Sequence, residues 1–309
     1  MIIIICAYCK KEKDKTKEHI ISDSVLQLFP ECDLTYDEIR KKHYKADPII
    51  KDVCSDCNNT KLSYIDEYAK NIISKYFIDE YDASDSLEFE YKYDEFLKVL
   101  MKYTYNDLRS HNDDVSIFDK ESINFLLDKS QKKLNKCISI FGGLCVNTSP
   151  VPEFVFGNKK IQWSKNPTFL ENSIILNYNY DTGQVMLRDN LKQMEIKGLK
   201  LSYFYKFNSG LFVILFWENE EIQKQNEQIL SLSYPYKLLS SDDDKVLLER
   251  CTHAYNCHIP NLIDVTWGIG IADSTNGMVR TDISPIQIQK DWNKGWNKHE
   301  HEIRLKHTK

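Results

Sequence analysis

A chain of 309 residues with 42% apolar and 28% charged side chains is long enough for one large or two ordinary domains with a sizeable core, and its composition is that of a soluble globular protein. Its formal charge of −5 argues against a uniformly basic nucleic-acid surface, and no apolar run approaches a membrane span. Nine cysteines, four of them in two Cys-x-x-Cys pairs, argue against a disulfide framework and for metal binding in a reducing compartment, the cytoplasm.

The opening Met1-Ile2-Ile3-Ile4-Ile5 is too short for the apolar region of a signal peptide and has no basic flank, so it predicts a strand leading into the first cysteine pair. Cys6/Cys9 and Cys54/Cys57 are two dithiol knuckles. Four thiolates suit a tetrahedral Zn²⁺, which stabilises a segment too small to bury much apolar surface by itself. A closed four-sulfur site has no open position for water or substrate. Such a zinc is structural, and chemistry falls to what it holds in place: Glu18, His19, Asn58 and Asp66. Lys10, Lys11, Lys13, Lys15 and Lys17 crowd beside Glu18-His19, and Arg40, Lys41, Lys42 and Lys45 follow in the long insertion between the pairs. The lysine run reads either as a solvated loop or as a local phosphate-attracting field. From Asn58 the pattern turns helical, with Leu62, Ile65, Ala69, Ile72 and Tyr76 at steps of three and four. Asp66, one turn beyond Leu62, borders this apolar stripe while Glu67 points away, which makes Asp66 the better ligand candidate; an ordinary flanking Asp is the alternative.

The order Cys6-Ala7-Tyr8-Cys9, Lys17-Glu18-His19-Ile20-Ile21 and Cys54-Ser55-Asp56-Cys57-Asn58 resembles the zinc-stapled branch of the HNH endonucleases, over roughly the first quarter of the chain. The resemblance implies a ββα-metal fold in which a hairpin presents the His and a helix closes over a catalytic divalent ion. It implies that His19 takes a proton from the water that attacks phosphorus, and that Glu18 and Asp66 hold Mg²⁺ or another divalent ion at the leaving 3′ oxygen. It also implies that Asn58 orients the His-bearing loop by side-chain to backbone hydrogen bonds. Ser22 stands where such proteins often have Pro, Leu62 where Gly is common, and Asp66 nearest the place of the motif's last His; a carboxylate there suits an oxygen-loving metal. Neighbours in a regular strand point to opposite faces, so Glu18 and His19 serve one site only where the strand ends or bends.

Residues 79–95 are acidic and aromatic and read as a junction. Phe96, Leu97, Leu100, Met101 and Leu108 mark a second amphipathic helix, and Ile123 to Phe141 a third. After Gly142-Gly143 the pattern predicts strands at 154–156, 173–179, 184–188, 194–206 and 211–217, separated by Asp181-Thr182-Gly183 and Asn208-Ser209-Gly210. A last helix is expected over about 243–258, with Asp242-Asp243-Asp244 as its N-terminal signal. Cys251, His253, Cys257 and His258 read as a buried helix end with a capping His and not as a second metal site, and Cys32, Cys137 and Cys145 as small buried hydrophobes.

The expected class is therefore α+β: an HNH-like zinc domain over 1–78, a junction over 79–95, and a mixed helical and antiparallel-sheet domain over 96–309. The expected activity is metal-dependent endonucleolytic hydrolysis of nucleic acid, DNA first, with the C-terminal domain serving target choice, oligomerisation or partner contact. By analogy such a pairing suits bacterial defence or a mobile element. The alternatives are a zinc-stapled module that binds nucleic acid or protein without cutting, and a structural zinc domain attached to a catalytic C-terminal region.

Overall fold

The computed structural model describes residues 3–37, 39–40, 42–82, 84–145, 160–169, 176–179, 184–187, 193–251, 255–259, 262–265, 271–272 and 277–281. It is mixed α and β, with antiparallel strand pairing and a cysteine cluster near the N-terminus. The first segment holds β1 (Ile3–Ile5), β2 (Glu12–His19), the short helix α1 (Asp23–Leu26), β3 (Leu34–Asp37), β4 (Lys42–Tyr44) and β5 (Ile49–Cys54). A π-helical turn over Cys57–Lys61 leads into α2 (Ser63–Tyr76). Then come β6 (Ser86–Glu90), α3 (Tyr93–His111), α4 (Lys120–Leu127), β7 (Ile138–Leu144), β8 (Ile161–Lys165) and β9 (Thr168–Phe169). The last part contains β10 (Leu176–Asn179), β11 (Gln184–Leu187), β12 (Leu199–Phe207), β13 (Gly210–Trp217), α5 (Glu220–Ser233), β14 (Lys237–Leu239) and β15 (Lys245–Glu249). It ends with β16 (Tyr255–Ile259), β17 (Leu262–Val265), β18 (Ile271–Ala272) and β19 (Gly277–Thr281).

Strands β1, β2 and β5 form a small antiparallel sheet, and an eight-stranded sheet runs in the order β14-β7-β13-β12-β8-β19-β3-β4. Strand β13 reads Gly-Leu-Phe-Val-Ile-Leu-Phe-Trp and is buried throughout. Its period of two divides it between two cores: Phe212, Ile214 and Phe216 pack with Phe96, Leu100 and Tyr103 of α3, whereas Leu211, Val213, Leu215 and Trp217 pack with Leu230 of α5. Helix α3 therefore lies under one face of the sheet and α5 under the other. The aromatic heart of the larger core is Phe77, Phe89, Phe96 and Phe212, with the Phe96 and Phe212 ring centroids 4.8 Å apart. Among the described residues no helix is long and apolar enough to cross a membrane.

The stripe Leu62, Ile65, Ala69, Ile72 and Tyr76 is buried as expected, Leu62 just before α2 and the rest on it, and the β12–β13 hairpin turns at Asn208, whose φ of 50° is left-handed. Other parts differ. The helix expected over Ile123 to Phe141 stops at Leu127, and the chain returns as the fully buried strand β7. The helix expected over about 243–258 is absent among the described residues: Asp242-Asp243-Asp244 precede a strand, β15, that pairs with β6, and Tyr255–Ile259 is extended. The segment expected as a junction supplies that β6, with Phe89 in the common core. Helix α5, capped by Asn219 Oδ1 accepting from the Ile222 N–H at 3.0 Å, was not expected. Strand β3, from the insertion between the cysteine pairs, joins the large sheet through β19, with Tyr36 opposite Val279. The strand expected at 154–156 and the side chains of His253, Cys257 and His258 lie outside the described residues.

Candidate functional site

The two knuckles meet. Cys6 and Cys9 lie in the β1–β2 turn, Cys54 ends β5 and Cys57 opens the π-helical turn, and their four sulfurs all lie within 4.8 Å of one another. The Cys9 and Cys54 Sγ atoms are 3.8 Å apart, the edge of a tetrahedron with zinc–sulfur bonds of about 2.3 Å. Lys10, at φ 57°, turns the chain back so that its N–H donates to the Cys6 carbonyl at 2.9 Å, and the Cys54 N–H points at Cys6 Sγ at 3.4 Å. Burial acts to push the Cys6 thiol up, but the N–H groups of Cys54, Cys9 and Tyr8 bring it down to about 7. The Cys57 thiol is held well above the ordinary range by burial and by the Cys6 charge. Four soft donors converging with one already inclined to ionise fit a structural Zn²⁺ held by Cys6, Cys9, Cys54 and Cys57.

Strand β2 pairs with β5 and slips register between Thr16 and Glu18, immediately before the Glu-His pair. Glu18 is 3% exposed and turns into the core, while the His19 side chain is 29% exposed at the end of the strand. Asn58 Nδ2 donates to the Lys17 carbonyl at 2.9 Å and to Thr16 Oγ1 at 3.0 Å, and Thr16 Oγ1 donates to the Val53 carbonyl at 3.0 Å. The amide that follows Cys57 thus fixes the strand just ahead of His19. From the other side Asn106 Nδ2 of α3 donates to the His19 carbonyl at 3.0 Å and to Glu18 Oε1 at 3.3 Å. Asn106 is itself held, since its Oδ1 accepts from Tyr8 Oη at 2.7 Å and Arg109 Nη2 at 2.6 Å.

Glu18 and Asp66 are brought together, and what lies between them is Lys102 of α3. Its ammonium is 2.7 Å from Glu18 Oε1 and 2.6 and 2.8 Å from the two Asp66 oxygens, and its side chain is 0% exposed. Burial alone would discharge the amine, but the Asp66 and Glu18 charges hold Lys102 above the ordinary lysine value. Glu18 is pushed up, first by burial, then by Asp66, against the pull of Lys102. A catalytic ion between Glu18 and Asp66 does not fit this arrangement, because the carboxylates already close on a cation.

His19 faces the opposite way, towards solvent. Its Nε2 is 3.9 Å from Asp47 Oδ2, and His19, Asp23 and Asp47 offer ligand atoms within 4.8 Å of one another. Asp47 Oδ1 is paired with Arg280 of β19, which also donates to the Cys32 carbonyl. Lys15 and Lys17 of β2 and Lys11 just before it are exposed, and Lys13 and Lys61 pair with Asp56 at 3.3 and 3.6 Å. Sequence reasoning missed Lys102, Asn106 and Arg109, which recur at steps of four and three on one face of α3, and also Asp23, Asp47 and Arg280. The α3 stripe was readable as spacing, but a polar stripe opposite an apolar one ordinarily faces water. No protein-family model, no curated protein and no solved structure matches the chain.

Proposed function

We propose that the N-terminal module hydrolyses phosphodiester bonds of nucleic acid in the manner of a zinc-stapled HNH endonuclease, with His19 as the general base and DNA as the first substrate to test. The observation that carries this reading is the backbone clamp on His19: Asn58 beside the cysteine cluster and Asn106 from α3 fix the strand end on both sides. The imidazole is left 29% exposed beside Asp47. A zinc-stapled binding module has no need to hold a single histidine in this way. In the reaction His19 takes the proton of a water as its oxygen bonds to phosphorus, the P–O bond to the 3′ oxygen breaks, and that oxygen takes up a proton from solvent; protonated His19 has Asp47 as its ion-pair partner. Exposed Lys11, Lys15 and Lys17 draw the phosphate backbone towards the module. Zinc supplies structure, holding the turn that carries Asn58 against β2.

One observation favours the second reading, a module that binds without cutting: Glu18 and Asp66, which the resemblance assigns to a catalytic ion, are engaged by Lys102. The deciding experiment is cleavage of supercoiled, linear and single-stranded DNA, and of RNA, by the zinc-loaded chain across a Mg²⁺ and Mn²⁺ series. His19→Ala removes neither a zinc ligand nor a core contact. It should keep its zinc and its melting temperature and lose activity by on the order of 10²- to 10⁴-fold. Undiminished cutting by folded His19→Ala rules out the proposed base, and binding of DNA without cutting by the wild type establishes the second reading.

A further inference from the structure

Lys102 reaches the module from α3 and is fully enclosed there. An ammonium has three donors, and here one meets Glu18 Oε1 while the others meet the two Asp66 oxygens, so nothing is left for water. The helix that carries it cannot easily draw back: one turn on, Asn106 binds Glu18 and the His19 carbonyl, and Tyr103 Oη meets the buried Ser22 hydroxyl at 2.8 Å. A hard divalent ion ordinarily keeps several of its waters, and the space around Lys102 Nζ is closed by protein.

We propose that Lys102 is the resident cation of the Glu18–Asp66 pair, so that these carboxylates hold an ammonium in place of a divalent ion and α3 completes the zinc module from outside it. An incoming ion would have to displace a fully buried ammonium from three oxygen contacts, which suppresses divalent-ion affinity at this pair. Lys102 is then a positioning residue. By drawing Glu18 inward it sends the next residue of the strand, His19, to the opposite face. The proposal deepens the hydrolytic reading of the same site, but its test reads ion binding without substrate, so the two fail separately.

The experiment uses the full-length, zinc-loaded protein and Mn²⁺ as the probe, with free Mn²⁺ followed by electron paramagnetic resonance and stability by thermal melting. Wild type and Glu18→Gln should bind Mn²⁺ identically, whether that is none or the same number with the same affinity. Lys102→Ala removes the ammonium and leaves two carboxylates around a void. It should take up one Mn²⁺ more than the wild type and gain roughly 5 °C in Tm at an ion concentration a hundredfold above Kd, a gain absent from Lys102→Ala/Glu18→Gln. Mn²⁺ bound by the wild type and lost in Glu18→Gln overturns the proposal, as does a folded Lys102→Ala that gains no ion. Where Lys102→Ala does not fold, the comparison of wild type with Glu18→Gln decides alone.

Discussion

Asn58 shows how one amide can couple a metal cluster to a strand end. It follows Cys57 directly, so its backbone is fixed by the cysteine cluster, and its Nδ2 reaches the Lys17 carbonyl and Thr16 Oγ1. Asn58→Ala leaves both acceptors without their donor while sparing all four sulfurs. The expected cost is about 1–2 kcal/mol in urea denaturation, with zinc stoichiometry unchanged. Loss of zinc in that variant would mean that the amide supports the cluster and not the strand. Ser22, where the HNH resemblance leads one to expect Pro, has a comparable local role: its buried hydroxyl meets Tyr103 Oη, a contact that Pro could not make. A change of one residue type in a motif thus reports a contact with a helix some eighty positions away.

Helix α3 is the element on which both halves of the molecule converge, and its C-terminal end carries a charge network that should respond to pH. His111 Nδ1 lies 3.5 Å from Asp107 Oδ1, and its Nε2 lies 3.8 Å from Asp37 Oδ2, which also pairs with Arg40. Asp107 in turn accepts from Trp163 Nε1 at 2.8 Å and Tyr203 Oη at 2.9 Å. Burial acts to lower the His111 value, but Asp107 and then Asp37 raise it above the ordinary histidine range. A folded-state value above the unfolded one favours folding fully below about pH 6.5, the unfolded value. That contribution fades as pH rises through the folded value. Tm should therefore fall between pH 6 and 9, and His111→Gln should flatten this part of the profile; an identical slope in the variant would assign the pH response elsewhere. The same helix shows why part of the fold was legible and part was not. Its apolar positions announce a helix, but their spacing does not show that Lys98, Lys102, Thr104, Asn106 and Asp107 are buried too. Their partners stand in β2, α2, β8, β12 and the loop after α4, at separations that periodicity cannot see. Strand β7, buried at every position, lacks alternation and so merged with α4 into one expected helix. Helix α5 hid for the opposite reason, since among its residues only Leu230 is fully buried. By contrast the four-cysteine cluster was readable because ligand chemistry requires the pairs to meet whatever the chain does between them.

At the scale of the whole molecule, the segment that carries the cysteine cluster is packed into the rest of the fold. Residues 1–78 supply β3 to the eight-stranded sheet through β19, and they receive Lys102, Asn106 and Arg109 from α3. Arg109 is also paired with Asp52 at 2.7 Å and lies over the Tyr8 and Tyr105 rings, so the helix grips both knuckle strands. Removing α3 uncovers the apolar stripe of α2 that packs in the same core and leaves Glu18, Asp66 and the His19 carbonyl without the side chains that hold them. A fragment of residues 1–78 should therefore fail to fold even with zinc, giving poor amide dispersion in NMR spectra. In the full chain, Cys54→Ser should lose the metal and lower Tm by on the order of 10 °C or more, because a structural zinc contributes its binding free energy to folding. That loss should be felt by α3 as well as by the knuckles. Hydrogen exchange followed by mass spectrometry should show protection falling together in β2, α2 and residues 100–109. Protection lost from the knuckles alone, with α3 unchanged, or a well-folded 1–78 fragment, would show that the module is autonomous and that α3 only rests against it.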